Sequence, residues 1–538
     1  MLGSVLWTLW FIPASFGGTD GAQGLPGEDR PILKSTAENV TQGPQREEDT
    51  PLELDEAQDL PIDDRPVLIN STMEKVKLGA KRAQGAPKEF KDYVRESLIQ
   101  ASNEPWRETA DEILINPGVL RWHRYLRALS NTPEWLDIGL THRMRVESLT
   151  NNFRKGAPET IEGLAIRTRL RIGADWKMFR VLLEGQNSSD IGESSSATST
   201  LNSSLFSNDR MLQGFLAMKF ENVFDTGLRT DLHVGRMTMD FGERRFIARN
   251  EFRNTTNTFQ GLHWNLAEEK IWRTRAFFVK PVAETFGVLL PVEDTLFWGV
   301  QYEDRRKPWL FFDAYYFGIN GGQTLDQQRA FGTYGLRYFR SPEVNRLDYE
   351  GESAFQKGTR SGLPHVAYFQ HAQVGYTFNL PFQPRVIALY DYASGTSDPT
   401  SGKSGTFDTL FGARRAELNP SSIFGPFFRS NIISPGVQLD MQTSRNTDLM
   451  LKWRAWWLAQ SKDVWVGSGL QDPTGAAGNY LGDTVEIRAR WNWNTFLSLD
   501  AGFSHFFKGP YIHNLAQIPG NPSANDSNYS YIQAELRF

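Results

Sequence analysis

The chain ends in an alternation that few folds can accommodate. In the stretch Tyr529 to Phe538, Ile532, Ala534, Leu536 and Phe538 fall on one side of an extended strand. Tyr531, Gln533, Glu535 and Arg537 fall on the other. Roughly eighteen segments along the chain share this two-faced pattern, and the last of them ends at the final residue. A soluble sheet can hide one apolar face on a core. It has no reason to repeat that face so often with connections that alternate between tight and long. The pattern predicts an all-β transmembrane antiparallel barrel of about 18 strands, apolar toward lipid and polar toward a wet bore.

The segments lie near 135–148, 161–174, 177–187, 211–222, 228–241, 258–267, 271–280, 294–304, 308–319, 330–341, 346–356, 367–379, 384–394, 434–443, 446–458, 482–493, 495–507 and 529–538. One set of connections is tight, as at Ala174 to Lys177 and Arg305 to Lys307. The other set is long: 188–210, 242–257, 281–293, 395–433, 459–481 and 508–528. Short turns at the periplasmic end and longer external loops are expected of such barrels. An even strand count returns both ends of the barrel to the periplasm.

Composition narrows the class. Mean hydropathy is -0.45, and no apolar run reaches the roughly 20 residues of a membrane helix. Aromatic residues make up 13% of the chain, which suits girdles at two lipid interfaces. Cysteine is absent, which excludes a disulfide framework, a zinc knuckle and a cysteine nucleophile.

The region before the barrel differs. Residues 1–22 read as a signal peptide, with an apolar run from Val5 to Phe16 followed by small residues, although no basic residue precedes the run. Residues 23–87 are acidic and Pro-rich. From Glu47 to Asp64 there are nine acidic residues and no basic one, so the segment is expected to stay disordered. Residues 88–132 carry helical spacing, as in Val119, Leu120, His123 and Leu126 after Pro117. This gives a short helical periplasmic segment, with 133–538 as the barrel. The extension carries the net negative charge, and the barrel region is near neutral.

The polar faces hold the chemistry. Arg143 and Arg145 alternate with Met144 and Val146; Arg167 and Arg169 with Ile166 and Leu170. Arg275 follows the same rule, as do Arg454 and Arg488. A charge facing lipid costs about 2–4 kcal/mol at mid-bilayer, so these side chains are expected in the bore. They have two readings. One is a lattice of arginine–carboxylate pairs bracing the wall, with partners such as Glu147, Glu350, Glu486 and Asp500. The other is a basic track that favours an anion in the pore. No His-Glu-x-x-His, phosphate loop or Ser-His-Asp cluster occurs, so no enzyme, cofactor or metal is expected, and no nucleic-acid partner.

Several stretches resemble the alginate export family of bacterial outer-membrane barrels. They are Leu232-His233-Val234-Gly235-Arg236 with Asp240-Phe241-Gly242-Glu243-Arg244-Arg245, then Thr258-Phe259-Gln260-Gly261 with Gln260 where Asp is usual. Thr406-Phe407-Asp408-Thr409-Leu410-Phe411, Gln471-Asp472-Pro473-Thr474-Gly475 and Leu481-Gly482-Asp483 continue the likeness. The resemblance implies an outer-membrane channel that passively conducts an anionic polyuronate such as alginate. Arg236 and Arg244 become its foremost pore-lining arginines, joined by Arg143, Arg145, Arg167, Arg169, Arg275, Arg454 and Arg488. Gly235 and Gly242 are expected at a bulge or tight turn. Implied partners are the anionic polysaccharide or oligosaccharide, outer-membrane lipid, the barrel-assembly machinery through Phe538, and periplasmic polysaccharide-synthesis proteins. Two other readings stand beside export: an uptake porin for small anions, and a structural envelope anchor acting through the extension.

Overall fold

The computed structural model describes residues 133, 135–192 and 207–538, apart from 224, 269–270, 286–287, 323, 416, 445 and 495. The expected signal, acidic and helical segments lie outside the described residues. Strands follow one another as β1 (Leu136–Thr150), β2 (Ile161–Trp176), β3 (Phe179–Gly192), β4 (Ser207–Val223), β5 (Leu228–Met237), β6 (Phe259–Glu268), β7 (Trp272–Thr285), β8 (Val288–Pro291), β9 (Leu296–Lys307) and β10 (Leu310–Gly321). The series continues as β11 (Arg329–Arg340), β12 (Leu347–Arg360), β13 (Leu363–Thr377), β14 (Arg385–Ala393), β15 (Ile432–Ser444), β16 (Thr447–Trp457), β17 (Tyr480–Asn492), β18 (Leu497–Lys508) and β19 (Ser527–Arg537).

Each strand pairs antiparallel with its neighbours, and β1 pairs with both β2 and β19. The ladder from Thr141↔Arg537 to Thr150↔Asn528 closes the ring and leaves no free edge. Leu140 and Phe538 exchange backbone hydrogen bonds of 2.9 and 2.7 Å at the seam. β8 is a short return on β7, and β9 pairs directly with β7. The wall therefore has eighteen strands, as the alternation predicts. Among the described residues no helix is long and apolar enough to cross a membrane. The strands make the crossing.

The outer face is apolar. Ile138, Leu140, Met144 and Val146 of β1 are exposed, while Arg143, Arg145 and Glu147 between them are buried. Among the described residues Trp135, Trp176, Trp309 and Trp493 are the most exposed tryptophans, and all lie at the short-turn end. Lys177 and Lys307 sit over Trp176 and Trp309. An aromatic belt with amphipathic cations is what a lipid–water interface selects.

Two departures from the sequence reading shape the interior. The fifth strand stops at Met237 rather than near residue 241, because the chain turns inward at Thr238. At the long-loop end, β12 and β13 are joined by Ser361 and Gly362 alone. Both residues take positive φ (51° and 75°), the geometry of a two-residue hairpin that matches sheet twist.

On the inner face, Tyr315 of β10 lies across Gly335 of β11 and donates its hydroxyl to Glu352 (2.6 Å). A Cβ on Gly335 would meet the Tyr315 ring at 2.0 Å. The substitution Gly335→Ala is expected to displace the ring and cost about 1–3 kcal/mol, read as an earlier urea midpoint for the detergent-folded barrel.

Candidate functional site

Two of the long connections do not stay outside. The first inner loop (238–258, between β5 and β6) and the second (394–431, between β14 and β15) fold into the bore. Their composition explains the move. Phe241, Phe246 and Ile247 in one, and Phe407, Ile423, Phe424 and Phe427 in the other, are too apolar for water and are fully or almost fully buried. Phe246 packs on Tyr315 and Phe369 of the wall and on Phe407 of the second loop. Phe427 stacks on Trp456 with ring centroids 3.7 Å apart, and Phe424 stacks on Tyr529 at 5.0 Å. Reading every long connection as external was therefore wrong for these two.

The buried loop backbones need hydrogen-bond partners, and wall arginines supply many. Arg143 donates to the carbonyls of Glu251 (2.7 Å) and Arg253 (3.0 Å) and to Asn254 Oδ1 (3.1 Å). Arg145 donates to Phe252 O (2.6 Å), Glu147 (3.1 Å) and Ser422 Oγ (2.9 Å), touching both loops. Arg167 reaches Glu251 O (2.8 Å) and its carboxylate (3.1 Å), which Arg169 also binds at 2.7 Å. Arg275 holds Asp240 O (2.6 Å) and Glu303 (2.7 Å). Arg454 joins Asp391 (2.6 Å) to Glu417 O (3.1 Å).

The loops are zipped to each other as well. Phe411 N donates to Phe246 O (2.9 Å), and Ala413 N to Arg244 O (2.8 Å). At their junction Arg245 binds Glu350 at 2.6 Å and also Glu352 and Glu417, uniting wall and both loops. Arg337 completes the network with Glu350 (2.8 Å), Asp313 (3.0 Å) and Glu243 (2.6 Å).

Arg143, Arg145, Arg167, Arg169, Arg275 and Arg454 thus occupy inward, buried positions, paired with loop atoms or carboxylates. Arg488 is inward and partly exposed beside Asp500. Arg244 lies at the tip of the first loop with φ of 59°, next to Gly242 at 52°, where Phe241 and Ile247 bridge a tight turn. Gly235 also has positive φ (134°), and a Cβ there would lie 2.4 Å from Gly214 O. Arg236 corrects the reading. It falls in step with Leu232 and Val234, the outward positions of β5, because Asp231 and His233 take the inward ones. Its guanidinium bonds Met211 O and Gln260 Oε1, both at 3.2 Å.

Sequence reasoning missed Arg245, Arg337 and Glu417. The aromatic content of both loops was the available signal. The alternation also puts Arg171 and Arg490 on inward faces, and the structure adds Arg180, Arg305 and Arg385, which sequence reasoning missed. Together they give a set of inward, partly exposed arginines at the short-turn end, near Asp137, Asp313, Asp348 and Asp500.

Charge in the loops is tuned by these contacts. Burial alone would raise the Glu251 carboxyl. Arg169, Arg249 and Arg167 overcome it and hold the group well below the usual carboxylate range. Burial opposes Arg245 and Arg429 in the same way at Glu417, which also ends well below its usual value. Burial, then neighbouring Arg253, pushes Arg414 down to about 9, which leaves it cationic at neutral pH.

Depressed carboxyls stabilise the latched state above their unfolded pKa near 4.3, and that stability is lost only as pH falls through the lower folded values. Single-channel conductance is therefore expected to stay level between about pH 7 and 5 and to change only below about pH 4. Arg245→Met removes the one cation shared by three largely buried carboxylates, leaving Glu350 to Arg337, Glu417 to Arg429 and Glu352 to the Tyr315 hydroxyl, at a cost of about 3–5 kcal/mol. The variant barrel should fold with looser inner loops and raised conductance in planar bilayers. An unchanged conductance would show that the loops hold without it.

Comparison with known proteins places this geometry. Residues 134–521 match the family described as alginate export. The fold is similar to Pseudomonas aeruginosa OccK8 (OprE), with a TM-score of 0.51 and 11% identity over 75% of this chain and 98% of that one. It is equally similar to Acinetobacter baumannii OccAB1, with a TM-score of 0.51 and 13% identity over 75% and 97%. No curated protein matches the chain. With a closed barrel and more than half of its length matched to the family model, the chain belongs to the alginate export family and is an integral outer-membrane channel rather than an enzyme.

Proposed function

We propose that the channel passively conducts an anionic polysaccharide of the polyuronate type, entering from the short-turn, periplasmic end. One observation carries the reading. Inward positions of β2, β3, β9, β14 and β17 at that end present partly exposed guanidinium groups, from Arg171 at 45% to Arg305 at 15% side-chain exposure. Each is paired with at least one acid, and the guanidinium groups and carboxylates at this end are similar in number. What matters in this vestibule is the exposed guanidinium faces rather than net charge: planar guanidinium forks suit uronate carboxylates, which can take the place of wall carboxylates as the polymer passes. The buried arginines Arg143, Arg145, Arg167, Arg169, Arg275 and Arg454 then define the bore by holding the inner loops, while Arg244 and Arg488 meet the solute. Periplasmic synthesis proteins fit as suppliers of the polymer, and Phe538, which stacks on Phe496 at the seam, fits as the contact for the assembly machinery.

A second reading, uptake of small anions or anionic oligosaccharides, is favoured by the two zipped loops that cross the bore. A polymer requires them to part further than a small anion does.

Planar-bilayer recording separates the two. Export predicts anion selectivity, block by polyuronate from the vestibule side and little effect of neutral dextran. The triple change Arg171→Gln, Arg180→Gln and Arg385→Gln should weaken block by at least about tenfold. Equal block by dextran, or cation selectivity, would overturn the proposal. Selectivity for small anions with no polyuronate block would favour uptake.

A further inference from the structure

One group on the bore wall takes no part in the arginine network that holds the loops. Asp231 and His233 are inward residues of β5, and His263 is the inward residue of β6 directly opposite His233. One nitrogen of each imidazole and one carboxylate oxygen lie within 4.8 Å of one another. His233 Nε2 is 3.0 Å from Asp231 Oδ2. Asn265, the cross-strand partner of Asp231, donates its amide to Oδ1 at 2.9 Å and fixes the carboxylate plane.

Aromatic rings orient both imidazoles. Phe215 stacks on His233 at 4.9 Å and 15°. Phe241 of the first inner loop meets His263 edge-on at 5.9 Å. Among the described residues no hydrogen bond engages either ring nitrogen of His263. The other described His–carboxylate cluster differs. In His371, Asp391 and Glu417 both carboxylates are committed to Arg454, Arg245 and Arg429.

We propose that Asp231, His233 and His263 form a transition-metal site of the zinc class on the wall of the bore. Two imidazoles and one carboxylate are a common open zinc set, with bonds of about 2.0–2.2 Å and a fourth position for water or a solute oxygen. The mix of nitrogen and oxygen donors disfavours calcium and magnesium, which want oxygen alone. Asp231 and His233 keep about a quarter of their side-chain surface exposed, so small rotations bring the three donors to bonding distance. Asn265 plays the orienting role that outer-shell groups play in metal sites. Neighbouring Arg275 would oppose a cation. It is turned away to Glu303 and the Asp240 carbonyl, with its guanidinium over Phe241 at 4.0 Å. The site does not depend on which solute the channel carries.

The test is calorimetric titration of Zn²⁺ into the detergent-folded, full-length chain lacking any polyhistidine tag, with Co²⁺ absorption as a second readout. One Zn²⁺ per chain is expected, with a tetrahedral-type Co²⁺ spectrum that Zn²⁺ bleaches. His263→Gln and His233→Gln should each abolish saturable binding, and Asn265→Ala should weaken it about 10–100-fold. His371→Gln should leave it unchanged. Retained heat-modifiable migration on gels certifies that each variant is a folded barrel. If a variant fails that check, the Co²⁺ spectrum of the native chain decides alone: a spectrum without imidazole-type ligation overturns the site. Absence of saturable Zn²⁺ uptake by the native chain overturns it too. So does wild-type affinity in the folded His233→Gln, His263→Gln double variant.

Discussion

The guanidinium-to-carbonyl hydrogen bond is the interaction on which the interior of this barrel rests. Eighteen strands enclose a bore that two loops re-enter. A loop taken out of water loses the solvent that satisfied its backbone. Here Arg143, Arg145 and Arg167 replace that solvent with charge-assisted donors aimed at the carbonyls of residues 251 to 253. Remove the arginines and the loops would have to leave. Remove the loops and several like charges would face one another across β1 and β2.

That mutual dependence also explains why the wall stays near electrical balance while carrying so much charge. Glu251 serves Arg167, Arg169 and Arg249, and Glu303 serves Arg273, Arg275 and Arg305. Each acid sits where guanidinium groups from adjacent strands converge. The arrangement is costly to desolvate and stable only as a complete network. Aromatic stacking adds direction, since Phe427 on Trp456 and Phe424 on Tyr529 pin the second loop at separate points on the wall.

The wall was legible because its signal is local. A period of two, repeated from β1 to β19, states which residues face lipid, and every segment read from the alternation corresponds to a strand. What escaped was non-local. Arg245 lies in a loop with no period, and its partners Glu350, Glu352 and Glu417 are more than one hundred residues away. The alternating arginines were legible, and two readings of them were possible. The structure shows lattice contacts at Arg145 and Arg454, whereas Arg171, Arg180 and Arg490 pair with acids while staying partly exposed. Arg236 shows the limit of motif reasoning. A Gly-Arg pair says nothing about which face the arginine takes until the register of Asp231 and His233 is known. The inward fold of the loops could have been suspected from Phe407, Phe411, Phe424 and Phe427, since so many aromatic residues rarely face solvent in one connection.

The grip on the first inner loop falls mainly on main-chain oxygens, which every amino acid supplies alike. Anchoring is thereby uncoupled from spelling. Arg253 can be exchanged over evolutionary time, or by a designer, without removing the carbonyl the clamp holds, whereas Glu251 is bound through its carboxylate as well. The lining of the constriction is thus open to rewriting for a new cargo at positions gripped by backbone alone.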